Sequence, residues 1–305
     1  MIFKPNSTSF GRHETFGLRF GWLPKGYQAL KENPKVFLSD DATVKLGVGK
    51  NMVSAIRYWL QAAQMLNVET GIHSELGELL LDVDTGFDPY LEDEATLWLI
   101  HWLISSNAEK ATAFYWFFNK FHKPEFSQEE ISTALSDWVK GNITHKVAPS
   151  TIKSDASLLP RMYANSRAIG RLSLEDALDS PLTQLRLISM SSAGRTYMSK
   201  QASRPGLPAE ILGFAVSELM QTRQTKILPV EELMYSRDDY PAPGAVFRLT
   251  ESDLIVKLEA LVSISQGDLS IRDSAGIHQI YCEGRISPTS WLKKYYRGSA
   301  QEAAA

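Results

Sequence analysis

Apolar residues recur at helical spacing along most of the chain, and the first strong stripe lies in residues 50–66. Val53, Ile56, Leu60 and Ala63 share one face of a 3.6-residue period, which predicts a helix with that face buried. The opposite stripe is Lys50, Ser54, Arg57, Gln61 and Gln64, cationic and amide-bearing with no acid. A shorter segment, residues 40–46, precedes it with Ser39 placed as its cap, and Gly47-Val48-Gly49 supplies a tight turn. Two helices joined by a short glycine turn, the second offering Lys50, Asn51, Ser54 and Arg57 outward, form a helix-turn-helix pattern. Short apolar runs around Gly71 and Gly77 predict a β-hairpin wing over residues 68–82. Polar outer faces also occur on many helices that bind nothing, so this pattern alone does not fix a function.

The same order then recurs. Residues 93–105 and 109–121 are rich in Leu, Trp and Phe, and the aromatic run at 114–118 predicts a buried helix that joins modules. Lys123-Pro124 marks a boundary. Ser127 with Glu130 fits a capping box ahead of Ile131, Ala134, Leu135 and Trp138, and Gly141-Asn142 end that helix. Ser150 is placed to cap a further helix with Ile152, Ala156, Leu159 and Tyr163 inward and Lys153, Ser157 and Arg161 outward. Pro160 inside it is expected to kink or shorten it. Residues 185–199, with Ser-Ala-Gly at their middle, read as a hairpin. After Pro205-Gly206 a third set follows. It has a helix with Ile211, Phe214, Ala215 and Leu219, another at 230–235, and a helix capped by Thr250 with Asp253. A hairpin from 269–272 and 277–282 closes it.

The predicted fold class is therefore mainly α with small β-hairpin wings, in tandem winged-helix-like modules. Their bounds are 1–124 with a helical extension, 125–204, and 205–305 with a basic aromatic tail. In that tail Trp291, Tyr295 and Tyr296 lie among Arg285, Lys293, Lys294 and Arg297. Such interleaving suits phosphates and exposed bases, or a helix docking its aromatics on the body.

Composition narrows the classes. The 305 residues suffice for two or three domains, and 13 Phe, 11 Tyr and 7 Trp exclude a disordered chain. A formal net charge of -3 shows no basic excess, so any nucleic-acid surface must be a local patch. Cys282 is the single cysteine, which excludes an internal disulfide and a thiolate zinc cage. Residues 1–12 hold no apolar run of signal-peptide length, and stretches such as 97–104 are too short to span a bilayer. The expected setting is cytoplasmic, away from membranes.

Candidate chemistry is sparse. Gly47-Val48-Gly49-Lys50-Asn51 fails the P-loop spacing, since position 44 is Val and position 51 is Asn. Phosphodiester hydrolysis needs a hard cation held by oxygens, a base to ready water, and positive charge for the transition state. An acidic run holds Asp82, Asp84, Asp88, Glu92, Asp93 and Glu94, and Asp93, Leu97 and His101 share one helix face. Asp88, Glu92 and Asp93 are the candidate ligands of such a cation. His13 or His101 is the candidate general base, with Glu14 orienting it. The DNA-binding candidates are Lys50, Asn51, Ser54, Arg57, Lys153 and Arg161. The alternative is plain: carboxylates at a helix N-terminus are ordinary dipole partners.

His13-Glu14-Thr15-Phe16, with Leu18-Arg19, Gly21-Trp22-Leu23 and Lys25-Gly26, resembles the opening motif of a bacterial family known as a domain of unknown function. Residues 46–53 followed by Ile56-Arg57-Tyr58-Trp59 resemble its second motif. Residues 88–93 with Ala95-Thr96-Leu97-Trp98 and His101-Trp102 resemble its third, and Ala275-Gly276-Ile277 with Gln279 a weaker fourth. That family includes the DNA-nicking subunit of single-strand DNA phosphorothioation (Ssp) defence systems. The resemblance implies a gene neighbourhood of cysteine desulfurase, ATPase and sulfurtransferase, and a nicking endonuclease that uses Mg2+ on double-stranded DNA. It carries over no catalytic set. A non-catalytic adaptor that recruits sulfur-transfer partners is the alternative, and a regulator of the operon ranks below both.

Overall fold

The computed structural model describes residues 2–165, 180–237, 239–274 and 277–303. The chain forms two compact units, Lys4–Phe117 with His122–Lys200, and Met1–Phe3 with Phe118–Phe121 and Gln201–Ala305. In chain order the helices of the earlier part are α1 (Trp22–Glu32), α2 (Ala42–Leu46), α3 (Lys50–Ala62), α4 (Glu75–Leu81), α5 (Glu94–Ser106), α6 (Thr112–Asn119), α7 (Gln128–Asn142) and α8 (Pro149–Tyr163). Short 3-10 turns lie at Val36–Leu38 and Pro181–Leu185. Strands β1 (Glu125–Phe126), β2 (Ser189–Met190) and β3 (Tyr197–Met198) form an antiparallel sheet in the order β1-β3-β2.

The two helices and the glycine turn expected there are present as α2 and α3, with Gly47 in the left-handed region at φ 61° ending α2. Val53, Ile56 and Leu60 are buried as the stripe requires. Against them packs α1, whose Gly26 allows the closest approach. A Cβ there would lie 2.6 Å from Ile56 Cγ2 and 2.8 Å from Leu60 Cδ1. Ser39 does not cap α2. Its hydroxyl donates to Val36 O at 2.9 Å, and Asp41 takes the N-cap position.

The hairpin wing expected over 68–82 is not formed. Its pairing is limited to an isolated bridge, Leu66 with His73. Residues 75–81 are helical instead, because Ser74 Oγ accepts from Gly77 N–H at 3.0 Å and starts α4. A cap signal and two buried leucines, Leu80 and Leu81, outweigh the alternating pattern there.

In α5 every residue from Ala95 to Ser106 is buried, which explains the absence of a polar stripe. Ser127 and Glu130 make the predicted capping box at the start of α7. Helix α8 begins with Pro149 at N1 behind Ala148, so Ser150 lies inside the first turn rather than at the cap. Pro160 does not end the helix, which continues to Tyr163. It lies one turn from the end of the helix and removes the N–H that would bond Ala156 O, while its own carbonyl accepts from Ala164 N–H at 2.8 Å. The hairpin expected at 185–199 is found as β2 and β3.

The other unit holds α9 (Ala209–Arg223), β4 (Ile227–Pro229), α10 (Val230–Met234), α11 (Pro243–Val246), α12 (Glu251–Ile264), β5 (Leu269–Ser274), β6 (Ile277–Cys282) and α13 (Pro288–Ala303). Its antiparallel sheet runs β4-β6-β5, and Thr250 caps α12 as expected. The Ala275-Gly276 part of the fourth motif lies outside the described residues. Arg248 is buried with its guanidinium over the Phe118 ring, and it donates to the Phe118 and Phe121 carbonyls. Burial, then the nearby Arg204 charge, lowers its pKa to about 10. In the tail, Trp291 and Leu292 are buried, and Trp291 Nε1 donates to Ser217 Oγ at 2.8 Å. Trp291 therefore docks on its own unit rather than standing free for a base. Mainly α structure with small antiparallel sheets is the observed class, and no described helix is long and apolar enough to cross a membrane.

Candidate nucleic-acid interface

The polar face of α3 divides in two. Lys50, Asn51 and Ser54 at its start are exposed, while Arg57 is half-buried. From Val53 to Gln61 this helix lines a cleft of about 600 Å³ that also takes in Arg12, Phe37 and Lys110. One wall is an irregular segment near the N-terminus, anchored at successive points. Pro5 O accepts from Thr144 N–H at 3.2 Å, Ser9 N–H donates to Thr112 Oγ1 at 2.9 Å, and Gly11 N–H donates to Asp155 Oδ1 at 2.9 Å. The turn before α6 supplies Glu109 and Lys110, and the 3-10 turn supplies Phe37.

The cleft is rich in donors. Among the described residues, Arg12 and Arg57 have no ion-pair partner, whereas Lys110 Nζ lies 2.6 Å from Glu109. Tyr58 is 7% exposed, with its ring packed edge-on against His13 and Trp59. Burial, then the Asp155 charge, pushes its phenol pKa well above the usual value, so it stays a neutral donor. Among the described residues its hydroxyl has no hydrogen-bond partner. Thr8 Oγ1 is likewise buried without one.

Neither candidate histidine presents a free ring nitrogen. His13 is buried, its Nδ1 accepts from Thr15 N–H at 3.1 Å, and its Nε2 lies 2.7 Å from Asp155 Oδ1. A neutral ring accepting at Nδ1 carries its proton on Nε2 and donates it to Asp155, so neither nitrogen is open to water. Glu14 does not orient this ring. It is exposed, at φ 50°, and lines the cleft. His101 is fully buried with Nδ1 2.8 Å from the Tyr163 hydroxyl, sealed from any substrate. The other cations of the first motif are also engaged: the Arg19 guanidinium lies over the Phe16 and Trp22 rings, and Lys25 Nζ donates to Leu46 O.

Nor do the candidate metal ligands converge. Buried Asp88 accepts from Glu92 N–H at 2.9 Å, Asp93 N–H at 3.0 Å and Thr96 Oγ1 at 2.5 Å. Asp93 caps α5 by accepting from Ala95 N–H at 2.8 Å, and Glu92 is exposed. Their oxygens organise a loop and a helix start. Among the described residues no group of three or more His, Cys, Asp or Glu is placed to hold a metal ion, so Asp88, Glu92 and Asp93 do not fit a Mg2+ site. Asp82 is similarly occupied, by Lys31, Tyr27, Thr85 and the Asp84 N–H. Lys153 and Arg161 are exposed on α8, outside the residues that line the cleft. Arg12 and Lys110 were not singled out by the sequence, because segments far apart in the chain bring them to the cleft, and Tyr58 entered only as part of the second motif.

Comparison with known proteins bears on this site. Two crystal structures match: one described as magnesium ion-bound SspB, with a TM-score of 0.81, and one as SspB, with 0.80. Each is 30% identical in sequence, and the match covers 95% of this chain and 88% of the other. No curated protein matches. Residues 10–296 match a family described as a protein of unknown function, DUF4007. The span takes in α3, the cleft residues Arg12 and Arg57 and most of both compact units, and the chain therefore belongs to the DUF4007 family.

Proposed function

We propose that this protein binds DNA through α3 and its cleft, and that it serves DNA phosphorothioate modification and phage defence. The observation that carries the reading is the pair Arg12 and Arg57, which line one cleft with no carboxylate partner among the described residues. Guanidinium groups in that condition suit phosphate, which they hold by paired hydrogen bonds. Similarity to SspB and the motif resemblance support a place in an Ssp system. In this proposal Lys50, Asn51 and Ser54 meet the duplex beside the cleft, and Lys153 and Arg161 offer a further contact surface on the module at 125–204. Sulfur-transfer and ATPase proteins of the same system are the proposed partners.

The activity assigned to the bound DNA is nicking of one strand with Mg2+. Its support is the motif resemblance together with the magnesium-bound SspB structure. Among the described residues no carboxylate cluster is placed to hold the ion, so Asp88, Glu92 and Asp93 are given no part in the reaction. That same finding favours a second reading, an adaptor that holds DNA for sulfur-transfer partners. A plasmid assay separates them. Open circles formed from supercoiled plasmid with magnesium or manganese, absent with chelator and in Arg57→Ala, sustain the nickase. Intact supercoils alongside firm DNA binding favour the adaptor. No DNA affinity at low salt would sink both.

A further inference from the structure

A helix that reads a major groove must stand proud of its neighbours, because the groove is about 12 Å wide and closes on it from both sides. Only the start of α3 is placed in that way. Its later positions, Arg57, Tyr58 and Gln61, lie in a recess walled by the segment carrying Thr8 and Arg12 and by Phe37. Bases in an intact stack cannot reach them. A phosphate contact alone would need no recess, and about 600 Å³ is within the range that encloses a small organic ligand.

We infer that one nucleotide leaves the stacked strand and enters this cleft, a step that rests on the DNA-binding reading above. Arg12 and Arg57 take its flanking phosphates. Phe37, half-buried against Ala42, Leu46 and Val53, offers a ring face for the base to stack on. The hydroxyl of Tyr58, which has no partner among the described residues, and the Gln61 amide supply hydrogen bonds to the base edge. The buried Thr8 hydroxyl, also unpaired, gains a partner when a polar ligand fills the cleft. The ligand class is thus an unstacked nucleotide still joined to its strand.

Extrusion from a paired duplex costs unpairing and unstacking, so DNA that has already paid this should bind more tightly. The test compares three duplexes of equal length: fully paired, carrying one bulged thymine, and carrying one abasic bulge. The full-length protein should prefer the thymine bulge over the paired duplex by about tenfold or more, and the abasic bulge should lose most of that gain. Tyr58→Phe keeps the buried ring, and Gln61→Ala lies at the surface of α3. Each should narrow the ratio of bulged to paired affinity, with melting temperature checking the fold. Equal binding of the thymine and abasic bulges would assign the preference to DNA flexibility and overturn the inference. So would equal binding of bulged and paired duplexes, and in both cases the DNA-binding reading stands. Failure to bind any of the three would overturn that reading as well.

Discussion

Nε2 of His13 lies 2.7 Å from Oδ1 of Asp155, joining a turn near the start of the chain to α8, 142 positions later. The same carboxylate accepts from Gly11 N–H. Arg12 stands between these two anchored residues, so a buried clamp aims a cleft-lining cation. The turn is conformationally costly at Glu14, φ 50°, and Thr15, φ 68°, whereas Gly11 adopts φ 70° freely. Such geometry persists only where surrounding contacts over-determine it.

Replacing Asp155 with Ala should therefore do two things. It leaves the His13 and Gly11 donors without their acceptor, at about 1–3 kcal/mol each. It also frees Arg12, so DNA affinity should fall together with melting temperature. Calorimetry and fluorescence anisotropy read the two effects. A destabilised protein with normal affinity would show that this turn does not serve the interface.

Charge reversal at Lys50 and Arg57 should weaken binding on every DNA sequence. Each lost phosphate contact lowers the slope of log affinity against log salt by about 0.9. A titration across salt concentrations measures this. An unchanged slope would remove α3 from the DNA surface.

Asp88 and Asp93 should behave as structural residues. Asp93→Ala loses a helix cap, at about 1 kcal/mol. Asp88→Ala strips the acceptor from Glu92, Asp93 and Thr96 and should cost more. Any rise in melting temperature with magnesium should survive in Asp93→Ala. Its disappearance there would restore that carboxylate as a metal ligand.

Acid should destabilise the fold through Asp82. The Lys31 ammonium, followed by the Asp84 and Thr85 donors, holds its pKa well below the usual carboxylate range, and burial opposes this only in part. A carboxyl depressed in the folded state stabilises fully above its unfolded value, about 3.9, and that stability drains away as pH falls toward the folded value. Melting temperature should thus fall below about pH 4 more steeply in the wild type than in Asp82→Asn. Parallel curves would show that the half-exposed Lys31 contributes nothing through water.

Local signals in the sequence were strong where one residue decides the outcome. Ser127 with Glu130, Thr250 with Asp253, and the Gly47 turn marked their elements because caps and left-handed turns act within a few positions. The 68–82 segment misled because Ser74 starts a helix whose few apolar residues also fit a strand. The candidate site was half legible. Periodicity exposed Arg57 and Gln61, but Arg12 and Lys110 reach the cleft through tertiary hydrogen bonds that no spacing encodes. The acidic run misled for a related reason. Sequence shows how many carboxylates lie near one another, and only the fold shows that backbone donors have already claimed Asp88 and Asp93.

The Gly26 crossing gives the cleft one stiff jaw and one compliant one. With α1 pressed against Ile56 and Leu60 too closely for even a methyl group, α3 cannot roll to follow a ligand, and Arg57 keeps a fixed bearing. Under the proposed DNA binding, adjustment to different strands falls to the irregular wall, tethered at Pro5, Ser9 and Gly11 but free of helical constraint between those points. Gly26→Ala, a change of one carbon remote from any phosphate, would force the rigid jaw out of alignment and so act on recognition from behind.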